Sequence, residues 1–303
     1  MKKEAARSDI LLILTAAIWG FAFVAQRVGM DYVGPFTFNG VRFALGSVSL
    51  LPLIFFWRVR KNGASPEEQS PSKRGALWYG APAGLVLFAG ASLQQMGLVY
   101  TTAGKAGFIT GLYVIIVPII GYRWGQRTSS GTWLGAVLAL TGLYLLSVTG
   151  AFTMSRGDLL VLGSAFFWAG HVLIIGWMSP RMDALVLASV QYAVCALLSI
   201  FVAFALETVA VAGILQAAVP ILYGGLASVG IAYTLQVVAQ RHAPPAHASI
   251  ILTLEGAFAA IGGWILLGET LSFRALAGCV IILSGMLVSQ LSDHLFPYPD
   301  SAS

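Results

Sequence analysis

Glu255 is the residue whose position most needs a reason. It falls about eight residues, roughly 12 Å at 1.5 Å per residue, into an apolar stretch over 247–267. A carboxylate at that depth must face a cavity, a partner or a proton. It is a candidate contact for a substrate ammonium group and a candidate proton-coupling site; the competing reading is a structural carboxyl bonded to a neighbouring helix. His171, inside the apolar stretch 158–178, is the second proton-coupling candidate, because imidazole titrates near neutral pH; it could equally be a bonded packing residue. Arg42 could clamp a carboxylate through two parallel hydrogen bonds, snorkel outward or hold its helix to a neighbour. Lys105, near the end of its stretch, reads as an interfacial charge. Trp19 and Trp168 each lie about ten residues into an apolar run, away from the interfacial belt where tryptophan collects. They can line an apolar cavity and offer a donor at its edge, or pack tightly in a core. Gln94 and Gln236 can bond between helices or point into the same cavity. Tyr113, Tyr233 and Asn39 are further substrate-binding candidates of this kind. No phosphate loop, zinc signature or hydrolase triad is present, so neither a metal nor a cofactor is expected. Cys195 and Cys279 sit in apolar runs and read as small buried hydrophobes.

The elements that hold these residues follow from composition. Of 303 residues, 58% are hydrophobic and 10% are charged, against about 25% charged in a soluble domain. So few charges cannot clothe a water-facing surface, and lipid must be the main solvent. The spans do not alternate polar and apolar residues as barrel strands would, so the class is all-α integral membrane. Counting about 20 apolar residues per crossing predicts ten transmembrane helices at about 9–28, 36–57, 75–99, 103–122, 132–149, 158–178, 184–206, 219–240, 247–267 and 275–292. Thr208 to Val219 is weakly polar and is expected as a short surface helix. Arg58 to Arg74, with Ser65-Pro66 and Ser70-Pro71, reads as a loop, and 293–303 as a cytoplasmic tail.

Lysine and arginine set the orientation. One side would hold Lys2, Lys3, Arg7, Arg58, Arg60, Lys61, Lys73, Arg74, Arg123, Arg127, Arg181 and Arg241; the other would hold Arg27, Arg156 and Arg274. Both termini are therefore expected in the cytoplasm of a bacterium, with the chain in its inner membrane. The net charge of +5 then reports topology rather than nucleic-acid binding.

The chain repeats. A shift of 149 carries Asp9 and Trp19 onto Asp158 and Trp168, and Arg42 onto Gln191. A shift of 142 carries Leu93-Gln94 onto Leu235-Gln236 and Gly121 onto Gly263; a shift of 143 carries Gly135 and Gly142 onto Gly278 and Gly285. One unit of five spans, 1–150, is used again over 151–292. Five is odd, so the second unit enters the membrane from the opposite side. This gives two inverted five-helix repeats, a construction common among secondary transporters.

Three stretches carry a family resemblance: Ala17-Ile-Trp-Gly-Phe-Ala-Phe; Arg42 following Pro35-Phe36; and Ala248 to Ser272, with Leu254-Glu255 and the closing Leu267-Gly268-Glu269-Thr270-Leu271-Ser272. Together with the duplication, they make the chain resemble the EamA type of the drug/metabolite transporter superfamily over residues 9 to 290. Where the family often has a proline after the ninth-span glutamate, Gly256 stands here, and Tyr113 holds the equivalent place in the fourth span. The resemblance implies a ten-helix secondary transporter, an exporter of small organic metabolites such as amino acids, with spans one, three, four, six, eight and nine around a central cavity. Two other readings remain to be weighed, an intramembrane enzyme and a receptor or scaffold that transports nothing.

Overall fold

The computed structural model describes residues 2–61, 73–101, 103–126, 128–147, 154–268 and 272–295. Residues 62–72 of the expected 58–74 loop, the end of the tail and Glu269-Thr270-Leu271 lie outside the described residues; the ends of that loop are helical instead, 58–61 closing one helix and 73–74 opening the next.

The described chain is helical. In order it forms α1 (Lys2–Gly29), α2 (Pro35–Lys61), α3 (Lys73–Leu98), α4 (Ala103–Gly111), α5 (Tyr113–Arg123), α6 (Ser130–Ser147), α7 (Arg156–Met178) and α8 (Ala184–Leu206). There follow α9 (Val211–Gln216), α10 (Ala218–Leu222), a π-helical stretch (Tyr223–Tyr233), α11 (Thr234–Ala239), α12 (Pro245–Leu252), α13 (Leu254–Leu267) and α14 (Phe273–Leu295). Among the described residues eight helical stretches are long and apolar enough to cross a membrane, and Ser130–Leu145 is a shorter apolar helix. Large apolar side chains such as Phe55, Leu197, Phe201 and Phe204 stand exposed on the outside. In water that surface would be costly, and in hydrocarbon it is matched. The chain is a multi-pass membrane protein.

Three irregularities depart from a plain row of helices. The stretch read as the fourth span is two helices, α4 and α5, meeting at Leu112; the ninth is likewise α12 and α13, meeting at Thr253. At both joints the backbone tightens to three-residue hydrogen bonds, Leu112 N–H to the Ile109 carbonyl and Gly256 N–H to that of Thr253. The eighth span is π-helical through its middle, where Gly225 lies against Leu45 and Gly230 against Ser49 of α2. Such widened turns collect at functional sites. The expected short helix after α8 forms as α9, with no buried residue.

Helices pack in recurrent pairs: α6 on α14, α2 on α8, α3 on α7 and α8, and α1 on α13 and the π-stretch. Glycine permits the closest of these. A Cβ on Gly142 would stand 2.5 Å from the Gly278 carbonyl oxygen, and one on Gly135 would stand 2.6 Å from that of Gly285.

The entry of α2 is held from a distance. Pro35 opens the helix without an N–H, and Glu207, just past the end of α8, satisfies the next donors. Its Oε1 accepts from Phe36 N at 2.8 Å; its Oε2 accepts from Thr37 N at 2.8 Å and Thr37 Oγ1 at 2.7 Å. These three hydrogen bonds satisfy donors that the first turn of a helix leaves without intrahelical partners. Glu207→Ala is expected to cost about 1–2 kcal/mol and to lower the thermal midpoint of the detergent-solubilised protein. An unchanged midpoint would show that solvent replaces the carboxylate fully.

Candidate functional site

Among the described residues a cavity is lined by Trp19, Phe23 and Gln26 from α1, Arg42 from α2, Gln94 from α3, Thr110 from α4 and Tyr113 from α5. Trp168, His171 and Val172 of α7, Ser228 and Tyr233 of the π-stretch, Gln236 of α11, Leu252 of α12 and Glu255 of α13 complete the wall. Eight of the nine residues singled out in the sequence meet here, including both tryptophans and both repeat-related glutamines. Asn39 does not. It is fully buried behind the wall, where its Nδ2 donates to the Ala91 carbonyl at 3.1 Å and its Oδ1 accepts from Arg42 Nε at 3.0 Å. Its place is one layer back, orienting the arginine.

The aromatic wall is built on Tyr233. Its ring centroid lies 4.5 Å from that of Trp19 and 6.1 Å from that of Trp168, the second pair stacked. Trp19 Nε1 donates to the Ser228 carbonyl at 3.3 Å. The π-stretch supplies both groups, so the unusual backbone of this span serves the cavity directly.

The polar wall has two ionisable residues, Arg42 and Glu255. Arg42 does not snorkel; it is 2% exposed, with its guanidinium 4.9 Å from the Phe43 ring centroid and 5.4 Å from that of Phe38. Among the described residues, only its Nε has a hydrogen-bond partner. Glu255 is held by Tyr113, whose hydroxyl donates to Oε1 at 3.1 Å. These two residues are repeat mates at the shift of 142 and stand just past the two helix breaks. The broken helices therefore place a carboxyl group and its hydroxyl donor in contact on the cavity wall. The described residues form no ion pair between Arg42 and Glu255.

Between these two residues several polar atoms lack partners: Trp168 Nε1, His171 Nδ1, Gln26 Oε1 and Gln236 Oε1 are buried and unbonded. His171 Nε2 lies 2.8 Å from Gln191 Oε1, which fixes the ring with Nδ1 free. Gln94 Nε2 donates to Thr110 Oγ1 at 3.0 Å, and Gln236 Nε2 to Gln240 Oε1 at 3.0 Å. Buried groups ordinarily find partners. These four unbonded atoms belong to a larger set that also includes Ser92 Oγ, Gln95 Oε1, Ser179 Oγ, Gln191 Nε2 and Ser199 Oγ of residues away from the cavity.

Sequence reasoning passes over three polar lining groups, Gln26, Thr110 and Ser228. Gln26 lies seven residues, two turns, from Trp19 and so shares its face; that spacing was a usable signal. Thr110 and Ser228 carried none, because short hydroxyl side chains are common within apolar spans. Arg42 was read as open between roles, and its cavity position adds the second span to the expected six. Lys105 is more than an interfacial charge, since its Nζ lies 2.6 Å from buried Asp158 Oδ2.

Comparison with known proteins agrees with this architecture. The model of the EamA-like transporter family matches residues 6–148 and again 155–290. An uncharacterized transporter of Archaeoglobus fulgidus is 29% identical over 290 residues, covering 94% of this chain and 86% of its own. The threonine/homoserine exporter RhtA of Salmonella typhimurium is 27% identical over 291 residues, covering 91% and 89%. A solved crystal structure superposes with a TM-score of 0.76 at 17% identity, over 96% of this chain and 98% of that one.

Proposed function

Because the chain belongs to the EamA-like transporter family, which sets it among transporters and not enzymes, we propose that it is a secondary exporter of amino acids and similar small metabolites, working by alternating access across the cytoplasmic membrane. The observation that carries the substrate reading is that Arg42 and Glu255 line one cavity without pairing with each other. Arg42 presents free donors to a carboxylate. Glu255 presents an acceptor to an ammonium group. The apolar faces of Trp19, Phe23 and Trp168 receive a side chain between them. The name of the relative RhtA, a threonine/homoserine exporter, is consistent with this chemistry.

The transport reading rests on ten crossings in two inverted units. The ten are α1, α2, α3, α4 with α5, α6, α7, α8, α10 through α11, α12 with α13, and α14. Packing supports the symmetry. Exchange of the two units converts the α1–α13 contact into the contact of α7 with α4 and α5, and α3 on α8 into the π-stretch on α2; α2–α8 and α6–α14 map onto themselves. The Gly142–Gly278 and Gly135–Gly285 approaches exchange in the same way, and the family match falls twice, once per unit. Rocking one unit against the other exposes the cavity to each side in turn. The solute gradient or a proton moving through Glu255 or His171 supplies the energy.

Counterflow into proteoliposomes, with a panel of radiolabelled metabolites, tests the function; accumulation of at least one neutral amino acid is expected, and no flux of any member would leave a receptor or scaffold as the better reading. For orientation, single cysteines at Ser65 and Ser272 are expected to label from opposite sides, with Ser65 and both termini cytoplasmic. Labelling from one side would reject the topology.

A further inference from the structure

Two polar clusters outside the cavity stand in a symmetric relation to it. At the end of the bundle that carries the termini, Asp9 of α1 meets His247 of α12, with Oδ1 and Nε2 3.0 Å apart. The other carboxylate oxygen of Asp9 accepts from Gln290 Nε2 of α14 at 2.7 Å. His247 Nδ1 lies 3.0 Å from Ser289 Oγ. At the opposite end, Asp158 of α7 holds Lys105 of α4 at 2.6 Å and accepts from Thr101 Oγ1 at 2.7 Å and from Ser155 N at 2.6 Å. Both aspartates are buried, and so is His247.

The shifts that relate the two halves relate these pairs. Asp9 falls on Asp158 at 149, and Lys105 falls on His247 at 142 (105 + 142 = 247). One arrangement, an aspartate on the first helix of a unit bound to a cation-forming residue on a broken helix of the other unit, is thus built twice. Each aspartate lies ten residues before a cavity tryptophan, Asp9 before Trp19 and Asp158 before Trp168. At 1.5 Å per residue the cavity sits about 15 Å from either cluster. Both pairs join residues of different units, so any motion that parts the units at one end must break the pair there.

We propose that Asp9–His247 and Lys105–Asp158 are the two gates of the transport cycle, each sealing one end of the cavity and each opening when the other is closed. The inference rests on the alternating-access reading above. It assigns a role to four residues that the substrate site does not use. The partners differ between the ends: Lys105 brings an amine on a flexible chain, and His247 brings a ring held between Asp9 and Ser289.

The test uses the full chain with Cys195→Ala and Cys279→Ala, a reporter Ser228→Cys in the cavity, and a charged, membrane-impermeant thiol reagent applied to vesicles of either orientation. Asp9→Asn should raise labelling from the terminus-bearing side at least roughly threefold and lower it from the other. Asp158→Asn and Lys105→Met should do the reverse. The exchange Asp9→His with His247→Asp should return labelling to the parent pattern, which separates the ion pair from general disruption of the fold. Vesicles in which the parent reporter is reached from one side only, under every substrate concentration, overturn two-sided access and the gates with it. A parent reached from both sides, whose labelling ignores Asp9→Asn and Asp158→Asn or shifts the same way in both, overturns the gates alone.

Discussion

Replacing Arg42 by alanine is expected to reduce transport of a zwitterionic amino acid by roughly thirtyfold or more, while leaving the protein folded. Removing one partner of a buried, hydrogen-bonded charge pair costs about 2–5 kcal/mol, which sets that scale. Arg42 lines the cavity, and Asn39 supports only its Nε. Lysine at this position keeps the charge and loses the fork, so Arg42→Lys should retain partial activity with a raised KM. Glu255→Gln is the complementary experiment. The amide preserves size and the contact with Tyr113 Oη and removes both charge and titration. Flux should fall, and its pH dependence should change if the carboxyl takes part in proton coupling. The measurement is initial-rate uptake in proteoliposomes across pH 5 to 8. Equal activity in Arg42→Ala and the parent would remove the arginine from the substrate site; an unchanged rate and pH profile in Glu255→Gln would make Glu255 a structural carboxyl.

The second large effect is on packing. At Gly142 a side chain would meet backbone, the Gly278 oxygen at 2.5 Å and the Ile282 nitrogen at 2.8 Å. Backbone on an opposing helix cannot swing aside as a flexible side chain can. Gly142→Val is therefore expected to part α6 from α14 and to cost about 3 kcal/mol or more. At roughly 2–4 °C per kcal/mol, the thermal midpoint in detergent should drop by at least about 6 °C. Gly107→Ala is the control, because a Cβ there meets nothing within 4 Å; its midpoint should stay put or rise slightly. Equal midpoints for the two variants would show that the α6–α14 seam yields more easily than its geometry indicates.

The contrast between these glycines shows where reading the sequence stops. Both are glycines within apolar stretches, and the residue facing each one is set by tertiary packing. The cavity was more legible. Repeat shifts alone paired Trp19 with Trp168 and Gln94 with Gln236, and all four line the one cavity. Glu255 stood out because a charge in an apolar span has few innocent explanations. The helix breaks were not legible, because Leu112 and Thr253 are ordinary helix residues and the nearest proline in the fourth span, Pro118, lies inside α5. The π-stretch was hidden for the same reason: hydropathy does not distinguish a wide turn from a normal one. Lys105 was misjudged because its anionic partner, Asp158, lies 53 residues away, and the depth of a residue in its span says nothing about distant partners.

The central claim is that one cavity holds a zwitterion between Arg42 and Glu255 and carries it across the membrane. Counterflow of a neutral, apolar-side-chain amino acid tests this most directly, with competition by two analogues, one lacking the carboxylate and one lacking the ammonium group. The account predicts that the intact amino acid exchanges and that each analogue competes at least tenfold more weakly, as about 1.4 kcal/mol lost at either residue requires. Exchange inhibited equally by both analogues, or no exchange of any amino acid, would contradict it.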